Sequence, residues 1–577
     1  MRERLHQQLR DIVQALLDEA GSGGEVPEFV LEAPRSDAHG DFACNAAMLL
    51  AKLLRQPPRT IAERIANRLL ETTDWVERVE VAGPGFVNFW LAGSRWHALL
   101  RRVLEAGPRY GHADVGKDQR VQVEFVSANP TGPLTLGHGR NAVLGDSIAR
   151  LLEALGFEVT REYYFNDAGR QMRVLGDSVR ARYLEALGRA APPPQDALSD
   201  PEQCWRDEIG GLPVVFPRDG YQGDYIVEIA QELREKHGEA LVEEPGDGKF
   251  REAAQARIFE EIHRTLEGMG IVFDVYSNEK DLYAKGRLDE VLDALREENL
   301  VYEEEGATWL RASALGLDRD RVLVKRTGEP TYLLPDIAYH REKLRRGFDR
   351  VIDVLGADHI EQFPFVREAI RALGYPHDHL ELVMHQFVTL TSGGEQLKQS
   401  TRRANYVTVD ELLADVGVDV FRFFMVQRRA ESHLDFDLDL ARERDWKKNP
   451  AYYVQYACAR THGIERKARE LGVAMPDAAT VDPSPLVLPE EIEILRKISE
   501  FPELVERAGA TREPHHVAYY ARDMAGLWNP YVQDGARHRV LSEDEALTNA
   551  RLGLALGVRT VLANALALLG ISAPEQM

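Results

Sequence analysis

The sequence predicts a multidomain α/β protein: a doubly wound parallel-sheet domain carrying an insertion, an α+β region before it and an all-α region after it. Three observations carry that prediction. The chain has 577 residues, more than one hydrophobic core accommodates. A β-branched run, Val121 to Val126, passes through a Pro- and Gly-rich loop into apolar residues at helical spacing, then into a second strand from Phe157 to Phe165. The final stretch, from residue 451, holds one helix-period apolar run after another and no strand signal.

Composition narrows the class. A hydrophobic fraction of 44% and a charged fraction of 29% are those of a soluble globular protein. No apolar run approaches the roughly 18 residues of a membrane span, and MRERLHQQLR lacks a secretory apolar core, so a cytoplasmic protein with no membrane partner is expected. Cys44, Cys204 and Cys458 lie far apart without CxxC pairing, which predicts reduced thiols and no metal site. The net charge of −23 argues against a nonspecific nucleic-acid binder and is mildly unfavourable to DNA. An RNA partner would need a local basic face. Arg341 to Arg350, Arg402-Arg403 and Trp446-Lys447-Lys448 are candidates, and each alone reads more readily as a solvated helix face.

Residues 1–110 read as a small separate domain. Leu5, Leu9, Ile12, Val13, Leu16 and Leu17 make an amphipathic first helix, and strands flank a turn at Gly83-Pro84-Gly85. Residues 118–390 hold the parallel sheet, with an insertion at about 190–270 that opens Pro/Gly-rich and continues as helices. Within the insertion, Gly246 to Lys249 lacks the Ser or Thr and the preceding strand of a phosphate loop and reads as a turn. The sheet resumes near Val272 to Tyr276 and again at Arg350 to Leu355. Residues 391–450 form a connecting region, and 451–577 the helical end.

The loop between the first strand and helix aims a Gly-rich turn at a helix N-terminus, where free N–H groups and the helix dipole favour phosphate. It has neither a P-loop ending nor a dinucleotide fingerprint. It has Pro133-Leu134-Thr135-Leu136-Gly137-His138. An open parallel sheet puts ligands outside the carboxyl ends of its strands. Asn129, Glu279, Asp336 and Asp358 all sit near such ends. Tyr332 and Asp336, four apart, share a face if a helix starts there. Two carboxylates and a phenol make a cage for a cation, and guanidinium matches carboxylates bidentately.

These words carry a resemblance. SANPTGPLTLGH resembles the His-x-Gly-His signature of class I aminoacyl-tRNA synthetases, and with REYYFNDAGRQ, TYLLPDIAYH and GADH it resembles arginyl-tRNA synthetase in particular. The resemblance spans essentially the whole chain. It implies a Rossmann-like catalytic domain that forms arginyl-adenylate from L-arginine and ATP, releasing pyrophosphate, then transfers arginine to its tRNA. ATP enters as substrate with Mg2+, no prosthetic group is implied, tRNA is expected to be needed even for the first step, and a monomer is the default.

By residue, the resemblance implies Ser127, Asn129, Glu279, Tyr332, Asp336 and Asp358 for arginine. For ATP it implies Pro130, Gly132, Gly137, His138, Gly356, His359 and Lys398. Catalysis falls to Thr135, His138, Lys398, Ser400 and Arg402. HGDFACNAAM and GPGFVNFWL resemble the family's N-terminal additional domain, which contacts the tRNA elbow, residues 391–450 its signature loop and stem-contact region, and residues 451–577 its anticodon-binding domain. There Trp528 and Tyr531 are candidates for stacking on bases, with Tyr452, Tyr453 and Tyr456 as further aromatics. Two signatures depart from the pattern. Thr135 stands where the family has its first histidine, keeping a hydroxyl but losing the option of charge. In the second signature, Lys398-Gln399-Ser400-Thr401-Arg402, Gln399 replaces methionine and Thr401 the second lysine. Two other readings stay open on these departures: a tRNA-binding paralogue that no longer charges, and a small-molecule adenylating ligase on the same fold.

Overall fold

The computed structural model describes residues 2–21, 25–32, 34, 39–199, 201–357, 360–397 and 407–577. Contacts divide the chain into two compact units. One comprises Met1–Gly107, Ile464–Ser499 and Leu527–Thr560; the other comprises Pro108–Gly463, Glu500–Gly526 and Val561–Met577.

In the first unit, the helix Arg2–Glu19 buries the six apolar residues its spacing singled out. The helices Ala46–Leu54 and Pro58–Thr72 pack with an antiparallel sheet ordered Leu31–Glu32, Phe42–Cys44, Phe86–Leu91, Val76–Ala82. Asp41, in the HGDFACN word, is buried: it accepts the Leu91 N–H at 2.7 Å and pairs with Arg496 at 2.6 Å. Burial pushes the Cys44 thiol up to about 11.

The second unit is organised by five parallel strands: β1 (Arg120–Glu124), β2 (Glu158–Phe165), β3 (Val275–Asn278), β4 (Arg350–Gly356) and β5 (Leu380–His385). Their order is β5-β4-β1-β2-β3. The chain winds outward from β1 to β3 and then returns to the other side of β1, so the winding reverses between β1 and β4. That reversal opens a crevice at the carboxyl ends of the strands. Helix α1 (Leu136–Ala154) follows β1, α2 (Gly169–Ala186) follows β2, and α3 (Glu279–Ala284) follows β3. Helix α4 (Leu333–Arg345) leads into β4, α5 (Phe363–Ala372) joins β4 to β5, and α6 (Val409–Val416) and α7 (Val418–Val426) come after.

One expected boundary moves: the strand expected from Val272 begins at Val275. Beyond it, Val301–Glu304, Ala307–Leu310 and Arg321–Val324 form a separate antiparallel sheet. The insertion holds a two-residue-strand hairpin at Glu208–Pro213 and the helices Asp224–His237 and Arg251–Gly268.

Buried cations set α1 in place. Arg422 of α7, fully buried, pairs with Asp146 of α1 and donates to the carbonyls of Leu569 (2.9 Å) and Met269 (3.0 Å). Arg140 donates to the carbonyls of Gln386 (2.8 Å), Arg429 (2.9 Å) and Ser432 (3.0 Å), and burial brings its guanidinium down to about 10. One helix among the described residues, Glu545–Leu568, is long and apolar enough to cross a membrane, which the sequence reading had passed over. Its most apolar window is 78% buried inside the protein, as a core helix is.

Candidate active site

The site begins where β1 ends. Val126 and Ser127 both take left-handed backbone, φ 66° and 42°, a costly conformation for a β-branched valine. Asn141 of α1 holds the bend: its Oδ1 accepts the Val126 N–H at 2.7 Å, and its Nδ2 donates to the Val354 carbonyl on β4 at 2.8 Å. Ser127 Oγ donates to Glu124 at 2.8 Å and accepts the Tyr164 N–H at 3.1 Å. Beyond the bend, Asn129 is exposed; its Oδ1 accepts the Asn166 N–H at 2.9 Å and its Nδ2 donates to Gln171 at 3.2 Å. The NDAGRQ word thus orients Asn129. Pro130 is buried and Gly132 half-buried in the following loop, whose Thr131 carbonyl accepts the Tyr225 hydroxyl at 2.8 Å.

At the N-terminus of α1, Thr135 and His138 form a capping box. The Thr135 N–H donates to His138 Nδ1 at 3.2 Å, so the neutral imidazole carries its proton on Nε2. The two glycines flanking His138 differ. A Cβ on Gly139 would meet Phe421 at 2.6 Å and Val409 at 3.0 Å, so that glycine is demanded by packing on α6 and α7. Among the described residues, a Cβ on Gly137 would meet only Thr135 Oγ1, at 3.8 Å, so those residues leave space over that position. The chain re-enters this neighbourhood just past residue 406: Thr408 forms a β-bridge with Thr135, and the Val409 N–H donates to the Leu134 carbonyl at 2.9 Å.

Carboxylates gather on the other side of β1. Glu279 heads α3, and the Tyr164 hydroxyl donates to its Oε2 at 2.9 Å. Asp336, in the first turn of α4, accepts from Gln362 Nε2, and its N–H donates to the Tyr332 carbonyl at 3.2 Å. Burial, then the charges of Glu279, Asp336 and Glu124, push the Tyr164 phenol far above its usual range. Burial also raises the Glu279 carboxyl, with hydrogen bonds from Tyr164, Asn166 and Tyr283 pulling it back. Tyr332, at the N-cap of α4, is 81% exposed, its ring in solvent rather than packed on a cage.

Beneath lies a layer of buried charge. Lys343 of α4, fully buried, pairs with Glu124 of β1 and with Asp353 of β4 at 2.6 Å. Asp353 also meets His340 Nε2 at 2.6 Å, and His340 Nδ1 lies 2.7 Å from the Asp336 carbonyl. Glu162 of β2 accepts from Ser277 (2.6 Å), Gln122 (2.7 Å), Tyr339 (2.8 Å) and Arg346 (2.8 Å). The Tyr339 ring stacks on Tyr164 at 4.2 Å between centroids.

Such a crevice, with a helix N-terminus on one side and carboxylates on the other, suits a nucleotide beside a cationic small molecule. Three family models match in series: the arginyl tRNA synthetase N-terminal domain (residues 4–91), the catalytic domain of class I tRNA synthetases (R) (100–422) and the DALR anticodon binding domain (454–577). The arginine–tRNA ligase of Desulfotalea psychrophila is 44% identical over 578 residues, 99% of this chain and 100% of that one. The arginine–tRNA ligase of Salinibacter ruber is 47% identical over 582 residues, with both chains covered in full. The chain belongs to the arginyl-tRNA synthetases. The Thermus thermophilus arginyl-tRNA synthetase structure matches all of this chain and all of its own at a TM-score of 0.73 and 26% identity.

Against that family, several expectations change. Asp358, His359, Lys398, Ser400 and Arg402 lie outside the described residues, as do Gln399, Thr401 and Arg403. Gly356 closes β4 in register with His385. Trp528 and Tyr531 do not present faces to RNA: both are buried, stacked at 5.5 Å, with the Tyr531 hydroxyl on Glu491 at 3.0 Å. Their helical spacing marked core. In the basic run Arg341 to Arg350, Lys343 is buried against Asp353, and Arg345, Arg346 and Arg350 are paired with Glu290, Glu162 and Glu381. At the third candidate patch, Trp446 is half-buried and stacks on Tyr456 at 3.9 Å, with Lys447 5.5 Å from the Trp446 ring and Arg460 5.5 Å from Tyr456.

Sequence reasoning missed Tyr164, Tyr339, Gln362, Asn141 and Lys343. The first lies inside the REYYFNDAGRQ word and the second and third flank Asp336 and Asp358, so proximity to named words was the available signal. Among the described residues, Glu513, His515 and His516 bring ligand atoms within 4.8 Å of one another, but Glu513 is engaged by Arg429 at 2.8 Å and His516 at 3.0 Å.

Proposed function

We propose that the protein ligates L-arginine to its tRNA in two steps, with Glu279 and Asp336 receiving the guanidinium. In the first step an oxygen of the arginine carboxylate attacks the α-phosphorus of ATP. The bond to the bridging oxygen breaks, and pyrophosphate leaves. In the second step a ribose hydroxyl at the tRNA terminus attacks the carbonyl carbon of arginyl-adenylate, loses its proton, and AMP departs. A carboxylate nucleophile is already ionised, so no general base is required for the first step. Positioning and charge stabilisation supply most of such catalysis.

In this reading Ser127, Asn129 and Asp358 hold the amino acid's α-amino and carboxylate end, and Tyr332 folds over the guanidinium. The open face at Gly137, with Pro130, Gly132, Gly356 and His359, receives the nucleotide. His138 offers its Nε2–H to the phosphates, Thr135 holds that ring in place, and Lys398, Ser400 and Arg402 stabilise charge building on the α-phosphate. Mg2+ enters with ATP as part of the substrate, where it neutralises phosphate charge. The half-buried aromatic ladder of Trp446, Tyr453 and Tyr456, fringed by Lys447 and Arg460, suits stacking on unpaired tRNA bases. A cytoplasmic monomer with no membrane or DNA partner accords with the net charge of −23 and the buried character of the one apolar helix among those described.

The observation that carries this reading is the Glu279 carboxylate at the head of α3, held by the Tyr164 hydroxyl at 2.9 Å, with neutral donors on it and the charge of Asp336 acting on the same phenol. A carboxylate held by neutral donors is ready for a cationic guest. The test is arginine-dependent exchange of pyrophosphate into ATP, with and without tRNA. Exchange is expected with arginine and tRNA together. Exchange driven by another amino acid, or none at all, refutes it.

A further inference from the structure

We infer that Tyr164 is a positioning residue for arginine selection, its hydroxyl setting the Glu279 carboxylate and its backbone setting the Ser127 loop, so that one residue spans both ends of the amino-acid site. The inference rests on the reading that Glu279 and Asp336 receive the guanidinium.

The geometry of Tyr164 ties it to both ends. Its N–H donates to Ser127 Oγ at 3.1 Å, at the end proposed for the α-amino and carboxylate groups. Its hydroxyl donates to Glu279 Oε2 at 2.9 Å, at the end proposed for the guanidinium. Between them the ring is fixed by the 4.2 Å stack on Tyr339, the two planes inclined by 27°. Tyr339 is itself anchored, donating to buried Glu162 at 2.8 Å. The distance between the two ends of the site is thus set by one side chain of limited freedom, which measures the length of the substrate.

The chemistry gives the hydroxyl a second task. A bidentate pair with guanidinium needs the carboxylate plane aligned with the plane of the guanidinium. The phenol engages Oε2 and opposes rotation of that plane. Groups facing Glu279 are Tyr164 from β2, Asn166 from the loop beyond it and Tyr283 from its own helix. Asp336 of α4 and Glu124 of β1 act on the same phenol. Burial raises the Glu279 carboxyl and the three donors restrain it, so loss of the phenol lets it take up a proton at higher pH.

The test is Tyr164→Phe, which keeps the ring, its stack and its backbone bond. In the full-length enzyme with tRNA, the KM for arginine should rise about ten- to hundredfold, the range for a lost hydrogen bond to a charged group. kcat and the KM for ATP should stay within about threefold, a margin of under one decade in rate. The acid limb of the pH profile for arginine KM should move to higher pH, because the carboxylate form that binds arginine is lost sooner. The preference for arginine over citrulline, its uncharged isostere, should shrink. A purely structural role would lower the active fraction and hence kcat, leaving KM and pH limb in place; that outcome overturns the inference. So does an unchanged arginine KM in a variant whose wild type is active. A wild type silent towards arginine fells the underlying reading instead, which keeps the two failures apart.

Discussion

Lys343→Met offers the sharpest test of how the site is held. The lysine is fully buried, and its ammonium lies between Glu124 and Asp353, which belong to adjacent strands of the parallel sheet. Methionine conserves much of the shape and deletes the charge. Breaking a buried pair by removing one partner costs about 3–5 kcal/mol, because the remaining charge is left without compensation. At about 2–4 °C per kcal/mol for a domain of this scale, the transition of the catalytic domain should fall by roughly 6–20 °C. Calorimetry is the right assay, since a multidomain chain need not melt in one step.

The pH dependence has a definite sign. Burial opposes ionisation of Asp353, but Lys343 and His340 more than reverse it and hold the carboxyl well below its usual range. Its contribution is present above an unfolded value of about 4 and is lost as pH falls through the depressed one. Burial alone would lower Lys343, but Asp353, Glu124 and Glu162 raise it, so its contribution is present below about 10.5 and lost only as pH climbs beyond that. From about pH 5 to pH 9 the wild-type pair is therefore at full strength. In the variant, loss of the ammonium removes the repulsion that lowers His340, so the Asp353–His340 pair takes up a proton on folding. The deficit should then be largest near pH 8 and shrink towards pH 5.5. A transition within 2 °C of wild type (about 1 kcal/mol or less), or a deficit equal at both pH values, would refute this account.

Gly137→Ala should leave thermal stability unchanged or raise it by up to about 1 kcal/mol, as glycine replacement in a helix does. Its KM for ATP should nonetheless rise several-fold in steady-state kinetics; an unchanged value removes Gly137 from the nucleotide site. Trp528→Ala should cost about 3–5 kcal/mol in a thermal melt, the price of emptying a core aromatic site. Trp446→Ala should melt like wild type while raising the KM for tRNA by about tenfold or more, one stacked base being worth about 1–3 kcal/mol. The reverse pattern for the two tryptophans, read by the same two assays, would restore Trp528 to the RNA face.

What was legible in the sequence was local. The β1–loop–α1–β2 unit follows from a period of two giving way to a period of 3.6, and both periods are set by near neighbours. Glu279 and Asp336 could be named because their positions match the arginine readers of the family that the sequence resembles; two acidic residues near strand ends suit a guanidinium but did not single it out. Tyr164 could not, because REYYF offers two adjacent tyrosines of equal appearance. Tyr163 is buried, with its hydroxyl on the Ala128 carbonyl, while Tyr164 turns to Glu279, 115 residues away. Lys343 was hidden for the same reason: inside REKLRR it looks like one more surface cation, and one of its partners is 219 residues distant. Trp528 and Tyr531 erred the other way, an aromatic period read as function where it marked packing.

Thr135 is the departure that most tests the assignment, and its geometry explains how the chain does without a histidine there. Thr135 is extended, φ −86° and ψ 168°, the conformation of an N-cap, and threonine is among the side chains favoured at that position. Its N–H holds His138 Nδ1, its carbonyl accepts the Gly139 N–H at 2.9 Å, and its backbone bridges to Thr408. All three of these tasks use backbone donors and acceptors that any residue carries; the hydroxyl, 3.2 Å from His138 Nδ1, adds the side-chain part of the cap. On this argument the hydroxyl is committed to the helix and not to the triphosphate, and the positive charge must come from elsewhere, on the present proposal from Lys398 and Arg402. Thr135→Val separates the possibilities, since valine keeps the branched shape and extended backbone and loses only the hydroxyl. The melt should fall by about 1 kcal/mol, the worth of a helix cap, while the KM for ATP stays within about twofold. A variant that melts like wild type and binds ATP tenfold more weakly would show that the hydroxyl serves the nucleotide.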